Sequence, residues 1–323
     1  MTREPEKHSR DIDPQGSLNF PGLTDLLGVT IARTVDAFNR AAPVSPTAGT
    51  YVVHLLNLFR STHGSIALLI RSSDKDNLMY GDAVSLSREQ VEKVFIICLL
   101  LDDPDKWAIL YQKYAWMKLY EDFLLQTYEC SELPRFEEFQ TNIGPDILEK
   151  MRVECSVTLL EQEATKNRFD NRFYARNAPL PAHLADHVIP AFPTPGNARS
   201  QPKDSGVRRL LDRWFHQWRQ LCDYSHVGDD KVLMAAILGR GSPVDDSRQR
   251  TFVERSVHPS LVISWVAAAC ACTEVGRMCL AQDTDLAASL TEFWTILEQR
   301  SLLGQLFWES RAKHLLPFLL DTA

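Results

Sequence analysis

Glycine is scarce in this chain, 14 of 323 residues, and no Asn-Gly or Asp-Gly step separates alternating apolar runs. Sandwiches and barrels need such turns at short intervals, which argues against an all-β architecture. The cysteines are seven, an odd number, scattered mostly through apolar helical patterns. They form no disulfide framework and read as small core residues in a reducing compartment, so the expected location is the cytoplasm. The most apolar run, Leu261 to Thr273, falls short of the roughly 20 residues that span a bilayer. Glu274 and Arg277 follow it, and the stretch reads as a buried core helix. The opening MTREPEKHSRDIDPQG has no apolar segment of the kind a signal peptide carries. Positive charge is lacking overall: the net charge is −7, so bulk charge recommends neither nucleic acid nor an anionic membrane. Gly239-Arg240-Gly241-Ser242-Pro243 is turn-rich but lacks the Gly-Lys-Ser/Thr ending and preceding strand of a phosphate-binding loop. No internal repeat is present.

What the chain has in abundance is helical periodicity. The clearest case is Val207 to Gly228, where Val207, Leu210, Leu211, Trp214, Trp218, Leu221 and Cys222 recur at spacings of three and four. Ser205 is the expected N-cap and Gly228 the expected stop. Similar patterns predict helices over Leu23–Ala41, Thr47–Arg71, Arg88–Leu101, Pro104–Tyr128, Pro145–Lys166, Ser256–Ala281, Asp285–Gln299 and Leu302–Leu320. Ser87 with Gln90 has the form of a capping box opening the helix at Arg88. Asp103 before Pro104 has the form of an N-cap and first turn. The helix from Pro145 is expected to run on through Phe173 to Arg176. Residues 1–20 read as a disordered tail. Six prolines in residues 177–204 mark an excursion loop. The predicted fold is all-α: a multi-helix bundle forming a single domain over residues 21–323. The helices at Arg88 and Val207 need each other's apolar faces.

Metal chemistry finds no closed ligand set. His183 and His187 are spaced for one helical turn but have no third ligand, and Asp102-Asp103-Pro104-Asp105 reads as helix punctuation. Cys270 and Cys272 point about 200° apart on a helix and cannot share an ion. His54 and His63 read as partly buried core histidines. No metal or cofactor is therefore expected.

The charge is uneven. Residues 166–219 hold ten Lys and Arg against four acids, a local +6 in an acidic protein. Arg168, Arg172 and Arg176 are spaced by four, with Phe169, Phe173 and Tyr174 between them. Basic residues hold phosphates and aromatics stack on bases, so this strip is a candidate nucleic-acid-binding element. Further along, Arg219 and His226 lie seven positions apart at the end of the strongest amphipathic helix, nearly in line at about 100° per residue. Phe215 and Cys222 share that strip. Arg88 and Glu92, one turn apart, continue an apolar strip through Phe95 and Leu99. Charges so placed need a partner, either each other or a group on another helix such as Arg219 or His226.

An arginine followed by a histidine a few residues later, on the last long helix of a small bundle, resembles the signature of HEPN-like proteins. These are all-helical modules, many of them metal-independent ribonucleases of bacterial defence and stress systems, with sites formed across a dimer. Arg3/His8, Arg176/His183 and Arg209/His216 meet the same spacing, but only Arg219/His226 ends a strong amphipathic helix. A divergent bacterial branch also looks similar, with an Arg and Glu on one helix accompanying a Ser-and-His segment at a later helix end. Here those residues are Arg88 and Glu92 with Ser225 and His226, and Tyr224 adjoins them. The resemblance implies RNA as the partner and a second copy of the chain as a further one. His226 would move a proton at the 2′-hydroxyl or leaving oxygen, and Arg219 would stabilise charge on the scissile phosphate. The alternative is a non-catalytic helical module that recognises another protein.

Overall fold

The computed structural model describes residues 20–72, 79–142, 144–173, 178–225, 246–279 and 283–316. Among them the chain is all-α, without a strand. It divides into two compact units: residues 1–102 with 195–323, and residues 103–194. The second division falls inside the proline-rich stretch. The expected N-terminal tail, apart from Phe20, and the residues from His226 to Asp245 lie outside the described residues.

The first unit holds α1 (Phe20–Ala41), α2 (Pro46–Ser72), α3 (Met79–Asp102), the short α9 (Pro195–Ala198), α10 (Ser205–Ser225), α11 (Asp246–Arg277), α12 (Thr284–Arg300) and α13 (Leu302–Phe307). A π-turn, Trp308–Ala312, and α14 (Lys313–Leu315) close it. At the centre are α3 and α11; α3 packs on α2, α10 and α11, and α11 also packs on α1, α2 and α12. Their composition explains the placement. From Val91 to Leu101 α3 is apolar nearly all round, and from Leu261 to Val275 α11 is almost entirely buried. A helix without a polar face belongs inside a bundle. Pro259–Arg277 is long and apolar enough to cross a membrane by length and composition, yet 89% of that window is packed inside the structure, as in a core helix. The expected pairing of the helices at Arg88 and Val207 is present as α3 against α10.

The second unit holds α4 (Pro104–Cys130), α5 (Phe136–Asn142), α6 (Pro145–Glu154), α7 (Leu159–Phe173) and the one-turn α8 (Ala182–Ala185). Its core is Trp116, Met117, Tyr120, Leu148, Val157 and Ile189. Trp116 stacks on Tyr120 at 4.9 Å and donates its indole N–H to the Leu148 carbonyl at 3.1 Å. The Lys113–Glu161 ion pair, 2.6 Å, ties α4 to α7.

Several helix ends differ from those expected, each for a local reason. Ser87 does not cap: α3 begins at Met79, and the buried Ser87 hydroxyl donates to Ala83 O (2.8 Å) and Ser260 O (3.1 Å). Asp204, not Ser205, caps α10, its carboxylate accepting from the Gly206 and Val207 amides at 2.6 and 3.3 Å. Asp103 caps α4 as expected. The long helix from Pro145 breaks at Ser156, whose φ of 55° is left-handed. Thr158 then opens α7 with a reciprocal capping box. The Thr158 amide donates to Glu161 Oε2 (2.8 Å) and the Glu161 amide to Thr158 Oγ1 (3.1 Å). Pro259 does not open the core helix but lies within α11. The last predicted helix is divided by the π-turn at Trp308. His54 is exposed, not partly buried, whereas His63 is buried.

Candidate functional site

The residues singled out around α10 separate into those the structure places and those it does not describe. His226 lies outside the described residues. Tyr224 and Ser225 form the final turn of α10 as described, and their side chains lie outside the description. Gly228 lies outside as well. Arg219, Arg88 and Glu92 are placed.

Glu92 is the junction. Its Oε1 accepts the indole N–H of Trp218 on α10 at 2.8 Å and lies 3.5 Å from Arg88 Nε. The carboxylate thus meets both alternatives from the sequence, its own i−4 arginine and another helix. Among the described residues, the group on that other helix is Trp218 and not Arg219. Both charged side chains stay accessible, Arg88 at 30% and Glu92 at 36%. Arg219 follows Trp218 by about 100° around the helix and is exposed.

The pairing of α3 and α10 is antiparallel. At one end, Asp102 Oδ1 accepts from the Lys203 amide just before α10, at 2.8 Å. Nearer the other, Glu92 meets Trp218. One further turn back along α3 carries Arg88 toward the last turns of α10, which end at Ser225. Glu92 therefore lies about two turns before the end of α10, and Arg88 one turn nearer to that end.

Phe215 and Trp218 line the same edge, half-buried, with ring centroids 5.9 Å apart and planes within 23°. The Arg199 guanidinium lies 4.5 Å from the centre of the Phe215 ring. It also reaches Asp212 at 3.3 Å. Periodicity placed Phe215 on the Arg219 strip but held no sign of Arg199, which comes from the proline-rich stretch.

In the arginine strip of the second unit, Arg168 joins two helices. Arg168 Nη2 bonds Glu121 Oε1 at 2.7 Å and Met117 Sδ at 2.9 Å, joining α7 to α4. Burial would raise the Glu121 carboxyl, but Arg168 and Lys118 outweigh it and hold it below its usual value. Arg172 is exposed, 5.7 Å from the ring of Phe173, while Phe169 is buried. Arg176 lies outside the described residues.

Two buried polar clusters of the first unit escaped the sequence reading. In one, the nearly inaccessible Glu274 takes Arg311 through Nε (2.7 Å) and Nη2 (3.0 Å). Asp204 joins Arg311 at 3.4 Å and Arg277 at 3.2 Å. Burial alone would lower the Arg311 pKa, but Glu274 and Asp204 raise it. The α10 cap, α11 and the π-turn are thereby locked together. In the other, His63 Nδ1 lies 3.0 Å from Ser264 Oγ and Nε2 3.2 Å from Thr24 Oγ1. Gln90 Nε2 donates to Ser264 Oγ (3.1 Å) and to Phe59 O (2.9 Å). Burial pushes the His63 pKa down to about 4. This serine–histidine pair is sealed at a junction of α1, α2, α3 and α11, so it has no access to substrate.

Among the described residues no group of three or more His, Cys, Asp or Glu is placed to hold a metal ion. Cys98 and Cys270 are buried, and burial raises both thiols well above their ordinary value, so neither is a nucleophile. No family model, curated protein or solved structure matches this chain.

Proposed function

We propose that this chain is a HEPN-like helical protein that binds RNA and cuts it without a metal, at the C-terminal end of α10. The observation that carries the reading is the antiparallel docking of Arg88 and Glu92 on α10 through Trp218. It supports the reading because a partly open arginine and carboxylate pack along the second half of α10, the helix that His226 follows in sequence. Arg219, exposed two turns before His226 in sequence, is free to take a phosphate bidentately. The division of labour follows from the groups. An imidazole titrates near neutral pH and suits proton transfer at the 2′-hydroxyl or the leaving oxygen. The guanidinium groups stabilise charge on the phosphate. Glu92 orients Arg88 and the Trp218 indole.

The test is cleavage of mixed cellular RNA in EDTA by the wild type, beside His226→Ala and Arg219→Ala. Loss of cleavage in both variants at unchanged thermal stability is the expected result. Absence of cleavage by the wild type sinks the nuclease reading.

A second reading, a non-catalytic module that recognises another protein, is favoured by one observation. Glu92 is already satisfied by Arg88 and Trp218, as a structural carboxylate is. In that case Glu92→Gln lowers stability and changes nothing else.

A further inference from the structure

We propose that the outer edge of the α3–α10 pair is a platform for single-stranded RNA. One base stacks against the Phe215–Trp218 pair, and the flanking phosphates are held by Arg88, Arg199 and Arg219. The proposal deepens the RNA reading above and rests on it.

Four features support the platform. The two rings are stacked and half-buried, so they are held from beneath yet reachable from outside. The Trp218 indole is oriented by its N–H bond to Glu92. A rigid, partly exposed aromatic surface loses little entropy when a base settles on it, and every base has a face to offer. Cations surround the rings. Arg199 lies over Phe215 and remains 40% accessible, Arg88 stands on the α3 side, and Arg219 is exposed one position beyond Trp218.

The charge balance favours an anionic occupant. Helix α3 adds Arg88 with Glu89 and Glu92, and residues 195–222 contain six Lys and Arg against two acids, in a protein of net charge −7. Of those two acids, Asp204 is paired with Arg277 and Arg311. Asp212 forms an exposed pair with Arg199, and such a pair is worth little and exchanges readily for a phosphate. A nucleotide uses both the stacked rings, through its base, and the arginines, through its phosphate. Duplex RNA keeps its base faces inside the stack, so the platform discriminates against it.

The test separates binding from chemistry. A short labelled 2′-O-methyl oligoribonucleotide, which offers no 2′-hydroxyl for attack, is titrated in EDTA by fluorescence anisotropy, as a single strand and as a duplex. The wild type is expected to prefer the single strand. Phe215→Leu is expected to weaken that binding by roughly tenfold, the loss of one stacked base, while Phe215→Tyr retains it. Arg199→Gln, at an exposed position, is expected to reduce the salt dependence of binding by about one charge. Equal affinity for strand and duplex overturns the proposal. So does unchanged affinity in a folded Phe215→Leu. Should Phe215→Leu unfold, an unchanged salt slope in Arg199→Gln overturns it. Binding with these signatures but no cleavage defeats the nuclease reading alone. Cleavage with none of them defeats the platform alone.

Discussion

Replacing His63 with glutamine should remove most of one proton from the acid sensitivity of this fold. His63 is 1% exposed, and burial holds its pKa at about 4 against 6.5 for a free imidazole. The folded state therefore keeps the ring neutral at pH values where the unfolded chain protonates it. The unfolded state binds more protons between those two values, so stability rises with pH across that window. The contribution is fully present above about 6.5 and is lost as the pH falls toward about 4. The complete loss is about 3.4 kcal/mol, and between pH 7.5 and pH 5.0 it is about 2 kcal/mol. Urea unfolding at those two pH values, on wild type and His63→Gln, gives the four stabilities required. The other histidines and the carboxylates titrate in both proteins and cancel in the difference. The variant is less stable at pH 7.5 through its altered bonds to Ser264 and Thr24. It should nevertheless lose about 2 kcal/mol less than the wild type on acidification. Equal losses in the two proteins would refute the assignment of a buried neutral histidine.

Gly206→Ala should destabilise the first unit by about 3 kcal/mol, because a Cβ there collides with the Arg311 guanidinium and pushes it off buried Glu274. Thermal unfolding beside Arg311→Met, expected to show a loss of similar size, checks it; a change below about 1 kcal/mol in both would count against the cluster as a lock. Thr158→Ala should cost about 1 kcal/mol through loss of the α7 cap, and hydrogen exchange should show the first turn of α7 opening more readily.

The existence of most helices was legible because burial imposes a period of 3.6, and that period survives in Val207–Cys222 and Leu261–Thr273 without knowledge of any neighbour. Their ends were less legible. Two capping boxes have equivalent sequence form, Ser87 with Gln90 and Thr158 with Glu161, and only the second caps a helix. Ser87 instead satisfies its hydroxyl inside α3 and against α11, because Ala83 and Ser87 both face the core. Pro259 is carried within α11 for the same kind of reason: packing of a long apolar face outweighs one missing hydrogen bond. Arg168 looked like part of an open basic strip, yet it is spent on Glu121, 47 positions away.

The amino-acid sequence by itself determined the all-α class, the identity of the core helices and the residues worth watching on α10, since each follows from composition and short-range spacing. Tertiary structure alone decided what Glu92 touches, that Arg199 from the proline-rich stretch lies over Phe215, and that Glu274 closes on Arg311. Those contacts join residues 126, 16 and 37 positions apart. Helical period relates a side chain only to neighbours within a turn or two, so pairings at such separations are set by how whole helices pack.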